Sequence, residues 1–205
     1  MKEAQRLIIG VSGASGVVYG LRAFEALREI GVETHGVVSK AAEMTLRYET
    51  GHSPSEFSKY ADYLYKMPDV GAPIASGSFK TLGMLIAPCS VRTMSEIASG
   101  VTSSLLTRAA DVVLKERRRL VLMVRETPFH LGHLRTMVQL TQMGAIIMPP
   151  LPAFYAHPQT IEDIVDQSVG RALDMFGLDW DQTRRWGEDL TQGKRPAART
   201  QPDKS

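Results

Sequence analysis

The sequence predicts an α/β fold in which a doubly wound parallel sheet carries helices on both of its faces. Short apolar runs alternate with segments of helical periodicity along most of the chain, as strands and helices do in such a sheet. Glycine, serine and proline residues lie in the turns between these segments. The chain has 205 residues, 43% of them hydrophobic, which is enough for one soluble domain with a buried core.

The first half of the chain contains two strand–helix units. Apolar runs predict strands at residues 7–11 and 33–38. Helical spacing of apolar residues predicts a helix from Val17 to Ile30, which Gly31 ends. A second helix is predicted at 39–48, with Ser39 as its N-cap. Residues 51–80 contain prolines and a Ser-Gly-Ser run, and we predict short elements there within a long functional loop.

The same alternation continues in the second half. Strands are predicted at residues 83–87, 119–124 and 145–148, and helices at 91–98, 104–115 and 134–143. An apolar stripe between Ile161 and Phe176 predicts a last helix, with Thr160 as its cap. We therefore predict a single α/β domain over residues 1–190. The polar residues 191–205 predict a disordered tail.

Charge and cysteine content exclude several classes of protein. The formal net charge of +2 is too small to indicate nucleic acid or an anionic membrane as the main partner. The single cysteine, Cys89, cannot form an intrachain disulfide, which fits a reducing cytoplasm. No signal peptide or membrane span is predicted. These features predict a cytoplasmic protein with no nucleic-acid or membrane partner.

The turns that follow strands are the candidate binding sites, because ligands of doubly wound sheets bind at the carboxyl ends of the strands. The first such turn is Gly13-Ala14-Ser15-Gly16. Its glycines allow close approach of a ligand, and the helix that begins here offers free N–H groups to an anion. The fingerprint G-x-G-x-x-G is absent, which favours a mononucleotide or another phosphate over NAD. The alternative is a tight turn without a ligand.

Three further turns carry polar groups. Ser39 and the segment 88–93, Pro-Cys-Ser-Val-Arg-Thr, place hydroxyls at predicted helix starts. Simple helix capping is the alternative for both. Arg125 and Glu126 leave the end of a predicted strand. They suit a phosphate-binding cation and a carboxylate for proton transfer, or else a structural salt bridge.

Six motifs in this chain resemble the UbiX/Pad1 family of flavin prenyltransferases, in the family's order and over nearly the whole chain. They lie at residues 12–16 (Ser-Gly-Ala-Ser-Gly), 39–42 (Ser-Lys-Ala-Ala), 88–90 (Pro-Cys-Ser), 108–118 (Arg-Ala-Ala-Asp-Val-Val-Leu-Lys-Glu-Arg-Arg), 124–128 (Val-Arg-Glu-Thr-Pro) and 154–158 (Phe-Tyr-Ala-His-Pro). The Cys-Ser-Val-Arg-Thr turn resembles members encoded beside hydroxyarylic acid decarboxylases. The implied fold is Rossmann/flavodoxin-like, a flavoprotein-like domain that binds flavin.

The resemblance implies transfer of a dimethylallyl group from dimethylallyl phosphate to N5 and then C6 of reduced FMN, with release of phosphate. Ser15 is implied as a proton relay and Glu126 as the base that removes the C6 proton. FMN binding is implied for Gly13, Ala14, Ser15, Ser39, Ser90, Val91, Arg92, Thr93 and Arg125. Substrate binding is implied for Arg108, Lys115, Tyr155, Arg171 and Trp186.

The resemblance also implies partners. The product would serve a UbiD-type decarboxylase, and the chain would form a large homo-oligomer, a dodecamer, with sites at subunit contacts. No metal is expected, because lysine and arginine side chains supply the positive charge. Two other functions stay open from the residues: an FMN-dependent cysteine decarboxylase, and a non-catalytic flavin-carrier subunit of an aromatic acid decarboxylase.

Overall fold

Six parallel strands form one sheet in the computed structural model, which describes residues 5–187. The strands are β1 (Arg6–Val11), β2 (Glu33–Val38), β3 (Tyr63–Tyr65), β4 (Gly83–Cys89), β5 (Arg119–Val124) and β6 (Ala145–Ile147). Their order across the sheet is β3-β2-β1-β4-β5-β6. This is the Rossmann order, in which successive strands are added in one direction from β1 and in the opposite direction from β4, so that the strand order reverses between β1 and β4.

Helices cover both faces of the sheet, as predicted. They are α1 (Val17–Glu29), α2 (Lys40–Thr50), α3 (Ser55–Tyr60), α4 (Val91–Ala98), α5 (Leu105–Lys115), α6 (Leu131–Met143) and α7 (Ile161–Asp174), with 3₁₀ turns at Pro73–Ala75 and Phe154–Ala156. The core on one face contains side chains of α1, α2, α3 and α7, and the core on the other contains those of α4, α5 and α6. Alternate residues of β1 enter the two cores: Ile9 enters the first and Ile8 the second.

Local sequence signals explain most element boundaries. The Ser39 side chain caps α2 by accepting a hydrogen bond from the Ala42 N–H. Thr160 caps α7 in a reciprocal capping box with Asp163. Gly31, at φ 72°, ends α1 in the left-handed conformation that favours glycine.

The structure corrects the predicted end of one strand and the predicted start of one helix. Strand β4 continues through Pro88 to Cys89 beyond the predicted end at residue 87, with an irregular register against β5 between Ile86 and Cys89. Proline has no N–H to donate, but its carbonyl accepts hydrogen bonds from Ser12 instead. Helix α6 begins at Leu131 rather than at 134, because the His130 ring caps it by accepting from the N–H of Gly132.

The edge strand β3 lies in the segment predicted only as short elements and loop. Its aromatic residues stack on a buried histidine of β2: the rings of Tyr63 and Tyr65 lie 4.8 and 5.9 Å from that of His35. This contact brings the segment into the sheet, and three residues of strand are too few to show periodicity in the sequence. The predicted tail, 191–205, lies outside the described residues, and within 5–187 no helix is long and apolar enough to cross a membrane.

Candidate active site

The candidate site lies at the carboxyl edge of the sheet, where β1 and β4 separate. Ser12 joins the turns that follow these two strands. Its buried hydroxyl donates to the carbonyl oxygen of Pro88 at 2.9 Å and accepts from the N–H of Ser90 at 2.8 Å. The N–H of Ser39 donates to the carbonyl of Val11 at 2.9 Å, which brings in the end of β2. Three predicted turns therefore meet at one edge.

The turn after β1 holds an anionic group at the start of α1. The Glu49 carboxylate accepts from the N–H groups of Gly16 and Val17, each at 3.0 Å. This arrangement shows that the turn binds anionic oxygens, as a helix N-terminus should. Gly13 packs so closely on α2 that an added Cβ would lie 2.3 Å from the Cβ of Ala41. Ser15 lies between these glycines and is exposed.

The starts of α2 and α4 add hydroxyls to the same edge. Ser39 caps α2, and Ser90 caps α4 by accepting from the N–H of Thr93 at 3.3 Å. The first amides of both helices have no intrahelical acceptor, so they remain available as donors to an anion. The Arg92 side chain points away into an ion pair with Glu96 and is 85% exposed, so its main chain is the part that faces the turn. These residues fit the phosphate and polar edge of FMN.

Arg125 and Glu126 lie at the same edge, at the end of β5, and Arg125 is anchored there by its N–H bond to the carbonyl of Cys89 at 3.0 Å. Among the described residues no ion pair joins the two side chains, contrary to the structural alternative. Glu126 is half-buried and accepts from the N–H of Thr127 at 2.9 Å. Burial raises the pKa of Tyr19, and the positive charge of nearby Arg125 offsets part of that rise.

Tyr155 and Trp186 come together although 31 residues of sequence separate the two positions. Their rings meet edge to face at a centroid distance of 5.8 Å. Tyr155 lies on the 3₁₀ turn Phe154–Ala156, which follows β6 on the carboxyl side of the sheet. Trp186 lies beyond α7 and is 75% exposed. The pair presents two aromatic faces of the kind that suits an apolar group.

Two of the three predicted phosphate-binding cations, Lys115 and Arg171, do not join this edge within one chain. Lys115 ends α5 just before β5 begins, so the length of β5, about 17 Å, separates it from Arg125. Arg171 lies in the last turn of α7, which ends against the amino edge of the sheet, where the Phe176 ring approaches Gly83. Each cation has a carboxylate neighbour: Arg108 binds Asp111 at 2.7 Å, Lys115 binds Glu116, and Arg171 binds Asp174 at 2.6 Å.

Sequence reasoning missed two residues of the site. Ser12 lies within the Ser-Gly-Ala-Ser-Gly motif, but only the structure shows that it bridges β1 and β4. Glu49 is far from the first turn in sequence and reaches Gly16 and Val17 through the packing of α2 beside α1. No local pattern marks a glutamate at the end of a helix as the cap of a different helix.

Comparisons with known proteins show the family to which this chain belongs. A family model described as Flavoprotein matches residues 1–173. A flavin prenyltransferase UbiX from Thauera aromatica is 56% identical over 181 residues, which covers 88% of this chain and 93% of that protein. The chain belongs to the UbiX family of flavin prenyltransferases.

Solved structures of UbiX proteins show the same fold. A crystal structure of AnUbiX in complex with FMN and dimethylallyl pyrophosphate superimposes with a TM-score of 0.88 at 49% identity, covering 90% of this chain and 98% of that one. A dodecameric FMN-dependent UbiX-like decarboxylase from Escherichia coli O157:H7 gives a TM-score of 0.86 at 47% identity, covering 89% of this chain and 99% of that one. The predicted fold class and family are therefore confirmed, whereas the roles of individual residues stay predictions.

Proposed function

We propose that this chain transfers a dimethylallyl group from dimethylallyl phosphate to N5 and C6 of reduced FMN and releases phosphate. The observation that carries the proposal is the meeting of three helix-start turns, rich in hydroxyls and amides, with Arg125 and Glu126 at the β1–β4 crevice. Membership of the UbiX family supports the reaction class. Reduced FMN supplies two nucleophilic positions, and the protein supplies binding, charge and proton transfer.

The turns at the crevice would hold FMN. The N–H groups that begin α4, the hydroxyls of Ser39, Ser90 and Thr93, and the guanidinium of Arg125 all suit polar and anionic oxygens. Gly13, Ala14 and Ser15 would approach the flavin through their main chain, where large side chains are absent. A phosphate oxygen that entered the start of α1 would have to displace Glu49 from its two amides.

Removal of the leaving phosphate requires cations and proton donors. Ser15 and Tyr155 lie on the carboxyl side of the sheet. Lys115 and Arg171 of the same chain lie towards its amino side. We infer that a second copy supplies these cations to each site. The exposed apolar side chains on and beside α6 support self-association; they are Phe129, Leu131, Leu134, Val138 and Met143.

Glu126 would act as the base that removes the C6 proton, and Ser15 would relay a proton near the leaving phosphate. Glu126 suits this work because it is half-buried at the crevice and not neutralised by an ion pair within the described residues. The product would then pass to a UbiD-type decarboxylase. The buried thiol of Cys89, whose pKa burial raises to about 12, is unsuited to nucleophilic work, and a free thiol fits the cytoplasm.

Mass spectrometry of the flavin tests the proposal. The protein, reduced FMN and dimethylallyl phosphate are incubated without oxygen, and the flavin is expected to gain one five-carbon unit. Dimethylallyl diphosphate in a parallel reaction measures the preference for the donor. EDTA is expected to leave the transfer intact, because side-chain cations carry the charge. An unchanged flavin would favour a carrier subunit, and release of CO₂ from a cysteine-containing peptide would favour a cysteine decarboxylase.

A further inference from the structure

Gln167 is a buried polar residue of α7 to which the proposed chemistry gives no role. Only 4% of it is exposed. Its side-chain amide binds the main chain of Arg184 twice: Nε2 donates to the carbonyl oxygen at 2.8 Å, and Oε1 accepts from the N–H at 2.9 Å. Because a buried amide is costly to leave unpaired, these two bonds hold the chain at Arg184 against α7.

Arg184 extends this connection to the turn that carries Tyr155. Its Nη1 donates to the carbonyl oxygen of Ala156 at 3.0 Å. Two residues further along the chain, the ring of Trp186 meets the ring of Tyr155 edge to face. A continuous set of contacts therefore runs from Gln167 through Arg184 to the pair of aromatic rings.

Trp186 has little packing of its own to fix its position. It is 75% exposed and lies on an irregular segment that follows α7. A side chain with so little buried surface gains little from packing, so the conformation of the preceding main chain determines where the ring lies. Gln167 is the side chain that binds that main chain on both its donor and its acceptor.

We propose that Gln167 is a positioning residue that holds Trp186 beside Tyr155, so that the two rings form one wall for the apolar five-carbon group of the substrate. This inference rests on the proposed function, because it takes both rings as contacts of the allyl donor. An aromatic wall that is displaced loses contact with bound substrate. Loss of the Gln167 bonds should therefore weaken substrate binding more than it slows the chemical step.

Gln167→Met tests the proposal, since methionine keeps the length of the side chain and removes both hydrogen bonds. Trypsin cleaves after Arg184 and Arg185, so the rate of cleavage in the native protein reports how often this segment leaves α7. We expect cleavage about tenfold faster, the change that about 1.4 kcal/mol produces. The KM for dimethylallyl phosphate should rise roughly fivefold, with kcat changed less than about twofold.

Thr183→Val is the matched control. Thr183 is buried in the same contact between α7 and the following segment, against Gly170, but its hydroxyl makes no hydrogen bond within the described residues. This variant should leave both the cleavage rate and the KM unchanged. In a Trp186→Ala background, where KM is already raised, Gln167→Met should raise it no further, because the ring that it positions is gone.

Faster cleavage with an unchanged KM would overturn the positioning role and leave only a structural one. Unchanged cleavage would show that the Gln167 bonds do not hold Arg184 against α7, which would overturn the proposal. Additive effects of Gln167→Met and Trp186→Ala on KM would also overturn it, because Gln167 would then not act through Trp186. If wild-type protein transferred no allyl group, both the proposed function and the positioning role would be wrong. Cleavage would still measure whether Gln167 holds Arg184 against α7. If Gln167→Met did not fold, Arg184→Met, which removes the side-chain bond to Ala156 and one of the two cleavage sites, should raise the KM and speed cleavage after Arg185 relative to the same cleavage in the wild-type protein.

Discussion

Single polar side chains organise the carboxyl edge of the sheet, and each does so through identifiable partners. The Ser12 hydroxyl uses both its donor and its acceptor to join β1 to the end of β4. Glu126 accepts from a neighbouring amide and has no ion pair with Arg125 among the described residues. Ser12 therefore holds the turns of the site together, whereas Glu126 is placed for the proposed proton transfer.

Glu126→Gln should stop the second bond to the flavin while leaving substrate binding intact. Glutamine keeps the oxygen that accepts from the Thr127 N–H but cannot act as a base. We expect bond formation at C6 to slow by roughly two to four orders of magnitude, the usual contribution of a general base. Flavin that carries the five-carbon group through one bond should accumulate in a single turnover, measured by mass spectrometry and absorbance. Closure at the wild-type rate would rule out the assigned role.

Ser12→Ala should weaken FMN binding beyond its effect on stability. The change leaves the N–H of half-buried Ser90 without its acceptor, which should cost about 1–3 kcal/mol of unfolding free energy. Because the same bond sets the spacing of the β1 and β4 turns, FMN affinity should fall roughly tenfold, an effect of about 1.4 kcal/mol. Urea unfolding and fluorescence titration with FMN measure the two effects.

Thr34→Val is the control for Ser12. Thr34 is also a fully buried hydroxyl on a strand, and it bonds Asp62 at 2.9 Å, away from the crevice. It should lose stability to a similar extent and keep its FMN affinity. Equal loss of FMN affinity in both variants would mean that Ser12 acts only through general stability.

At the scale of elements, the position of α1 decides where the first turn of the site lies. Gly20, in the middle of this helix, faces the sheet. A Cβ on it would lie 2.5 Å from the carbonyl oxygen of Ala87 and 2.9 Å from a methyl of Val11. The absence of a side chain therefore lets α1 pack closely over β1 and β4, which places the Ser15 turn beside the Ser90 turn.

Gly20→Ala should destabilise the protein although alanine is the better helix former. The gain in helix propensity is about 1 kcal/mol, whereas overpacking in a close contact costs typically 1–3 kcal/mol and shifts the backbone. We expect a lower urea midpoint together with weaker FMN binding. Val18→Ala, on the exposed side of the same helix, should change neither by much. A higher midpoint for Gly20→Ala would show that α1 tolerates displacement.

At the scale of the whole molecule, one chain does not bring all of its predicted site residues together. Glu126 lies at the carboxyl edge of the sheet and Lys115 near the amino edge, a full strand length apart. With Lys115 assigned to the site as proposed, a complete site would require a neighbouring copy, and the exposed apolar residues of α6 give a surface through which copies could meet.

Mixed assemblies of Lys115→Ala and Glu126→Gln proteins should regain formation of both bonds to the flavin. Neither variant alone is expected to form the doubly bonded flavin, because every site lacks one of the two groups. After dissociation and reassembly together, about a quarter of the sites should combine a native Lys115 with a native Glu126 from different copies. Formation of flavin bonded at both N5 and C6, followed by absorbance, measures this, and each variant reassembled alone is the control. If mixed assemblies, confirmed by native mass spectrometry, formed no doubly bonded flavin, one chain would make the whole site.

The amino-acid sequence alone predicts the fold class, the strand-following turns, most helix boundaries and the family. These depend on local signals such as apolar periodicity, caps and short motifs, as Ser39, Gly31 and Thr160 show. The folded chain is needed to see that Ser12 bridges two strands, that Glu49 caps α1, that β3 joins the sheet and that Lys115 lies far from Glu126. These contacts join residues distant in sequence, and their geometry is set by how the helices pack on the sheet, which no local pattern encodes.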